Sequence, residues 1–94
     1  ALLDTGHAHV NGWDIPAVVK AFGERLAACH VHDNDGSGDA HLPVGQGDID
    51  WKAYFGAVKK YAPQATQVFE YCCGFNNTKD LEAHIAELKA KYKL

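Results

Sequence analysis

The chain repeats one local pattern three times: a short apolar run, a polar stretch, and then a run with helical spacing. The apolar runs are residues 1–4, 26–31 and 66–72. Short buried runs that alternate with amphipathic helices predict parallel strands joined by right-handed crossovers. The sequence therefore predicts an α/β fold built from three parallel β-α units.

Each predicted helix has a recognisable start. Asp14 with Pro16 close behind is typical of a first helical turn, and the next helix is expected to begin after Asp50. The third helix is expected to begin at Thr78, and lysines follow towards its C-terminal end, where the helix dipole favours them. The first run after Asp4 is expected to be a turn that contains Gly6.

Three parallel strands leave two unpaired edges and one uncovered face. Such units usually belong to a larger sheet or to a closed barrel, in which the site residues lie at the C-terminal ends of the strands. We therefore expect residues 1–94 to form one domain that is part of a larger assembly. The open edges also predict a homo-oligomer.

Composition narrows the class of protein. The formal net charge of −3 over 94 residues gives no basic surface, which argues against bulk attraction to nucleic acid. The apolar runs are far shorter than the roughly 20 residues that span a bilayer, and no leader pattern is visible. The expectation is a soluble, cytoplasmic protein that does not act at a membrane. The three cysteines do not pair by spacing and are read as structural thiols.

Acidic and histidine residues cluster where strand-like runs end. Asp4, His30 and Glu70 each fall at such a junction, and oxygen and imidazole donors are the ligands of divalent cations. Glu70 lies inside an apolar run, where a carboxylate is costly to bury without a cation or a metal. His32 alternates with His30 and so points to the same side of its strand. The alternative for Asp4 is a simple turn cap.

Further candidates lie outside the strands. His7 follows Asp4 in a D-x-x-H pattern, and Asp39 and His41 can project in one direction from the long loop at 33–48. A loop of that length is usually functional or disordered, so plain solvation of Asp39 and His41 is the competing interpretation. His9 is expected to be an ordinary solvated residue.

The motifs resemble those of the xylose isomerase-like TIM barrels, a superfamily of sugar and sugar-phosphate isomerases and epimerases that also includes the endonuclease IV type of DNA-repair enzyme. The resemblance rests on D-T-G-H at 4–7, H-V-H-D-N at 30–34, D-A-H-L-P-V-G-Q-G-D-I-D-W at 39–51, and Glu70. It implies that the chain is the C-terminal part of a (β/α)8 barrel, the last three of eight units. Gln46 departs from the glutamate that is common in the pattern, at a position read as structural.

The resemblance also implies the site. Asp4, His30 and Glu70 match three of the four ligands of one divalent ion, and the fourth, a glutamate, would lie on a strand outside these residues. Glu70 matches an acid-base glutamate, and His7 matches a histidine that contacts the substrate or a further metal. Asp39 and His41 match a further metal pair. On this basis Glu70 and His7 are predicted to be catalytic, and His7 and His32 to bind substrate.

Three functions follow as hypotheses. The first is a sugar or sugar-phosphate isomerase or epimerase of carbohydrate metabolism that depends on Mn, Mg, Co or Zn and transfers a proton through an enediolate. Here it would be a fragment or one part of an assembled barrel, and this chain alone is expected to be inactive. The second is a zinc-dependent phosphodiesterase of the endonuclease IV type. The third is a noncatalytic metal-binding or assembly protein.

Overall fold

A computed structural model describes all 94 residues and contains one sheet of three parallel strands. The strands are β1 (Leu2–Asp4), β2 (Ala28–Val31) and β3 (Thr66–Phe69), in the sheet order β1-β2-β3. Asp4 pairs with His30 in the register, so the ends of β1 and β2 lie side by side. The predicted α/β fold of three parallel β-α units is confirmed.

Four α-helices connect and cover the strands: α1 (Thr5–Val10), α2 (Ile15–Phe22), α3 (Trp51–Tyr61) and α4 (Thr78–Tyr92). The side chains of Asp14, Asp50 and Asn77 cap α2, α3 and α4 by accepting a backbone N–H from the first turn. Each cap satisfies a donor that the helix itself leaves unpaired. None of the helices is both long enough and apolar enough to cross a membrane.

Helix α1 replaces the turn that was expected after Asp4. The Asp4 carboxylate accepts the His7 N–H at 2.9 Å and so acts as the helix N-cap. The cap starts a helix despite Gly6, whose lack of a side chain leaves room for the His32 ring just beyond β2. As a result, His7 and His9 project from a helix rather than from a loop.

Two strands are shorter than their apolar runs. A 3-10 turn at Gly23–Arg25 precedes β2, which therefore begins at Ala28 instead of Leu26. After Phe69 the chain leaves the sheet, because the Cys72 N–H donates to the His41 carbonyl in the neighbouring loop. Glu70 consequently lies one residue beyond β3, although its own N–H still donates to the Val31 carbonyl at 3.1 Å.

The core lies on one side of the sheet. Cys29 and Val31 of β2 are fully buried beneath α2 and α3, together with Tyr54 and Phe55. Burial of one such aromatic or branched side chain contributes about 1.5–3 kcal/mol to stability. On the other face no helix covers the strands, and Leu2 and Val68 are 56% and 40% exposed. The side chains of Asp4 and His30 belong to this open face, since they alternate with the buried residues.

Candidate metal centre

A buried carboxylate fixes the long loop that follows β2. Asp33 accepts four N–H groups: those of Asn34 at 2.9 Å, Gly45 at 2.9 Å, Ile49 at 3.2 Å, and the indole of Trp51 at 2.7 Å. Asp33 is completely buried, so each of these bonds replaces a water contact that the loop would otherwise need. The loop at 33–48 is therefore an ordered part of the domain.

Asn34 joins this loop to the first unit. Its amide donates to the Gly6 carbonyl at 3.0 Å, and its backbone carbonyl accepts the Asp48 N–H at 3.0 Å. Thr5 adds a second link, since its hydroxyl donates to the His32 carbonyl at 2.8 Å. The sequence argument did not single out Asp33, Asn34 or Thr5. A buried acceptor could have been sought, because a glycine-rich loop next to a buried tryptophan must satisfy many N–H groups.

The first donor cluster, Asp4, His30 and Glu70, lies at the C-terminal ends of the three strands. The Nδ1 atom of His30 is 3.0 Å from Oε1 of Glu70 and 4.0 Å from Oδ2 of Asp4. All three side chains are half-buried, and one donor atom from each lies within 4.8 Å of the others. The parallel register places these strand ends together, as the sequence predicted.

The donor set fits a hard or borderline divalent ion. Donors about 2.1 Å from one ion are separated by roughly 3–4 Å, depending on the angle between them. The separations of 3.0 Å and 4.0 Å around His30 are in this range. Two carboxylates and one imidazole suit Mn²⁺, Mg²⁺, Co²⁺ or Zn²⁺ better than a soft cation.

The second donor cluster, His7, Asp39 and His41, joins α1 to the long loop. Oδ2 of Asp39 is 2.9 Å from Nε2 of His7 and 3.2 Å from Nε2 of His41. Burial opposes ionisation of Asp39, but the hydrogen bond from His7 and the nearby His41 lower the Asp39 pKa. Burial likewise disfavours the charged His41 ring, but the Glu70 carbonyl and the Asp39 charge raise the pKa of His41.

The backbone of His41 has an unfavourable conformation. Its φ of 51° lies in the left-handed region, which a residue other than glycine occupies at a cost of about 1–3 kcal/mol. The Nδ1–H donates to the Glu70 carbonyl at 2.9 Å, because a carbonyl oxygen can only accept. In the neutral ring, Nε2 would then present a lone pair to the Asp39 carboxylate. A cation, either a proton on the ring or a metal ion between the two groups, removes this repulsion.

His32 connects the two clusters. Its ring is completely buried and stacks on the His41 ring, with centroids 3.8 Å apart and planes 5° from parallel. Its Nε2 is 2.8 Å from Oδ1 of Asp4, yet neither ring nitrogen makes a hydrogen bond of normal geometry. His32, His41 and Glu70 also form a third group of close donors. Such an unsatisfied buried ring next to carboxylates is typical of a site that takes up a cation.

The structure thus brings all the predicted site residues to one edge of the sheet. They are Asp4, His7, His30, His32, Asp39, His41 and Glu70. Their individual roles stay predictions. His9, read as a solvated residue, instead contacts the carboxylate of Asp48. His84 lies outside the site, where its Nε2 is 2.9 Å from the Tyr71 hydroxyl.

Three parallel β-α units with their polar side chains at the C-terminal ends of the strands define part of a (β/α)8 barrel. The sequence matches the family described as xylose isomerase-like TIM barrel over residues 1–91, and the chain belongs to that family. The resemblance noted from the motifs is therefore confirmed.

Individual relatives are longer than this chain. The chain is 38% identical over 55 residues to the uncharacterized protein y4fM of Sinorhizobium fredii, which is 58% of this chain and 18% of the relative. It is 36% identical over 58 residues to the uncharacterized protein MJ1614 of Methanocaldococcus jannaschii, 62% of this chain and 22% of that protein. The crystal structure of a D-tagatose 3-epimerase-like protein is similar with a TM-score of 0.69 and 26% identity, over 95% of this chain and 33% of that chain. The chain thus spans about a fifth of the curated relatives and a third of that structure.

Proposed function

We propose that these residues are the C-terminal part of a metal-dependent sugar or sugar-phosphate isomerase or epimerase. The observation that carries the proposal is the convergence of Asp4, His30 and Glu70, with Nδ1 of His30 3.0 Å from Glu70 and 4.0 Å from Asp4. Family membership and the similarity to an epimerase-like protein favour sugar chemistry at this position.

The residues have distinct tasks in this proposal. Asp4, His30 and Glu70 hold the ion, which when bound supplies a positive charge that polarises the carbonyl and hydroxyl oxygens of the sugar. Glu70 takes the proton from the carbon next to the carbonyl. In an isomerase Glu70 returns the proton to the neighbouring carbon of the enediolate, whereas in an epimerase a second group returns a proton to the opposite face. His7, whose side chain is 60% exposed, binds a substrate hydroxyl. His32 was predicted to bind substrate, but its ring is completely buried, so its task here is to position Asp4, whose Oδ1 is 2.8 Å from the His32 Nε2. The loop fixed by Asp33 keeps Asp39 and His41 above the sugar.

The site needs groups from outside these residues. The first cluster offers three protein donors, and a reaction on both faces of an enediolate needs a second acid-base group. Both outer edges of the sheet and its uncovered face are available for further strands. We propose that such strands, from a longer polypeptide or from another copy of the chain, supply the remaining glutamates. Without them the chain binds the ion weakly and has little activity.

A metal titration tests the first cluster directly. Cobalt(II) added to the chain is expected to give a visible absorption band that saturates only with an excess of metal, because three donors bind weakly, and Mn²⁺ or Zn²⁺ is expected to compete for the same site. The affinity for Co²⁺ should fall by about 10-fold or more in each of the variants Asp4→Asn, His30→Gln and Glu70→Gln. His9→Gln is the matched control, because His9 belongs to none of the donor clusters. Equal affinity in all four variants would exclude this ligand set.

Turnover is tested in the native assembly. Incubation of ketoses and ketose phosphates in D₂O with metal should place deuterium on the carbon next to the carbonyl, as an enediolate requires. Glu70→Gln should abolish this exchange. An assembly that binds the ion at Asp4 and His30, yet exchanges no deuterium with any sugar, would support the noncatalytic alternative.

The second donor cluster supports one competing function. His7, Asp39 and His41 provide a separate set of ligands, and several ions would suit a zinc phosphodiesterase of the endonuclease IV type. The net charge of −3 gives no general attraction to DNA, which is why we rank this function second. Three zinc ions per complete site together with cleavage of abasic DNA would establish it. One ion with deuterium exchange would establish the isomerase.

A further inference from the structure

Two adjacent thiols lie outside the metal centre. Cys72 and Cys73 are free and exposed, and their Sγ atoms are 2.7 Å apart. Glu70 and Tyr71 separate them from the end of β3, and the Cys72 N–H donates to the His41 carbonyl at 2.9 Å. The backbone of this pair is thus fixed by the ordered loop, and both sulfur atoms point to the same side.

The backbone does not favour a disulfide between them. The chain has no cis peptide bond, so the Cα atoms of Cys72 and Cys73 are about 3.8 Å apart. Disulfides usually need a Cα separation of about 4.4–6.8 Å. Two neighbouring sulfur atoms that do not favour an S–S bond can both bond to a third atom. Each sulfur then forms its own bond to that atom.

An aromatic groove lies beside the thiols. It has a volume of about 300 Å³ and is lined by Cys72, Cys73, Phe69, Tyr71, Phe75 and Leu81, with Asn76 and Asn77 at its edge. The rings of Tyr71 and Phe75 are stacked with their centroids 5.8 Å apart. A ligand that bonds both sulfurs and carries a flat apolar group could therefore fill the groove.

We propose that Cys72 and Cys73 form a dithiol site for trivalent arsenic that carries an aryl or other apolar group. With an arylarsine oxide, two As–S bonds form, the As–O bond breaks, and the oxygen leaves as water with both thiol protons. No oxidant is needed, and no net proton is released.

Titration of the chain with phenylarsine oxide, in a phosphine reductant, tests the proposal. Intact mass should show one adduct per chain that has lost one water, and 2,3-dimercaptopropanol should remove it. Cys72→Ser and Cys73→Ser should each lower the affinity by about 100-fold, since a single thiol loses the second bond. Cys29→Ala should leave it unchanged, because Cys29 is completely buried in the core and does not line the groove.

The affinity of a reference peptide shows how much the folded structure adds to binding by the two cysteines alone. A peptide of residues 68–77 contains both thiols and the groove residues other than Leu81, but it lacks the fold that fixes them in place, so the chain should bind phenylarsine oxide about 10-fold more tightly. Phe75→Ala should remove most of this difference for the phenyl compound but not for methylarsine oxide. Equal affinity of peptide and chain, or an adduct that survives Cys72→Ser unchanged, would overturn the proposal.

Discussion

Replacing Asp33 with asparagine tests whether one buried carboxylate organises the loop that carries Asp39 and His41. The asparagine side chain has nearly the same shape, but it keeps only one acceptor oxygen. Of the four N–H groups that Asp33 accepts, those of Asn34 and Ile49 meet Oδ1, while those of Gly45 and Trp51 meet Oδ2. In either orientation of the new amide, two N–H donors face an NH₂ group.

The expected loss of stability follows from these contacts. A hydrogen bond to a charged group contributes about 1.5–3 kcal/mol, and an unpaired buried donor costs about 1–3 kcal/mol. The two lost hydrogen bonds and the two unpaired donors are the same two contacts, so their costs are not added together. We therefore expect a decrease of about 3 kcal/mol in the free energy of unfolding. The free energy of unfolding of a domain of 94 residues is only about 5–14 kcal/mol in total.

Urea denaturation of the chain measures this loss. A decrease of about 3 kcal/mol lowers the urea midpoint by roughly 2 M when the slope is about 1.5 kcal/mol/M. Trp51 fluorescence should report the change in the loop, and circular dichroism should report global unfolding. Asp35→Asn is the control in the same loop, because Asp35 is exposed and its carboxylate bonds only Ser37. If the urea midpoint of Asp33→Asn shifted as little as that of the control, the Asp33 carboxylate would not be what organises the loop.

Two further predictions concern particular side chains. Gly6→Ala should lower stability by about 1–3 kcal/mol and weaken metal binding, because a Cβ on Gly6 would overlap the His32 ring. Gly56→Ala, with open space around it in the middle of α3, should instead raise stability by about 0.5–1 kcal/mol in the same urea assay. Burial, only partly opposed by Glu87, lowers the pKa of His84 below its ordinary value of 6.5. As the pH falls from about 6.5 through the folded-state pKa, the unfolded chain takes up this proton first, so the wild type should lose stability over that window. His84→Gln should lose less, and a pH series of urea midpoints with equal slopes for both proteins would contradict this.

The sequence was sufficient to predict that the first donor cluster converges. It was not sufficient to predict the hydrogen bonds that hold the loop carrying Asp39 and His41. Asp4, His30 and Glu70 end three apolar runs, and parallel strands with right-handed crossovers place such ends together whatever the loops do. Asp33 and Asn34 gave no comparable signal, because their partners are distant in the sequence: the Trp51 indole is 18 residues from Asp33, and the Gly6 carbonyl is 28 residues from Asn34. Helix α1 was missed for a related reason: a six-residue helix is stabilised by its Asp4 cap and by packing on β2, and its own sequence pattern is too short to show.

The two donor clusters differ in how completely this chain specifies them. His7, Asp39 and His41 are placed by hydrogen bonds that close within the chain, since Asp33 fixes the loop and Asn34 ties it to Gly6. Asp4, His30 and Glu70 have fixed backbones, but their side chains meet an open sheet face and two unpaired edges. Added strands would bury that face, lower the local dielectric and strengthen every charge interaction with a bound ion. The affinity of the first cluster for a divalent ion should therefore depend on assembly much more than that of the second, and measuring both before and after the remaining strands are supplied would reveal the difference.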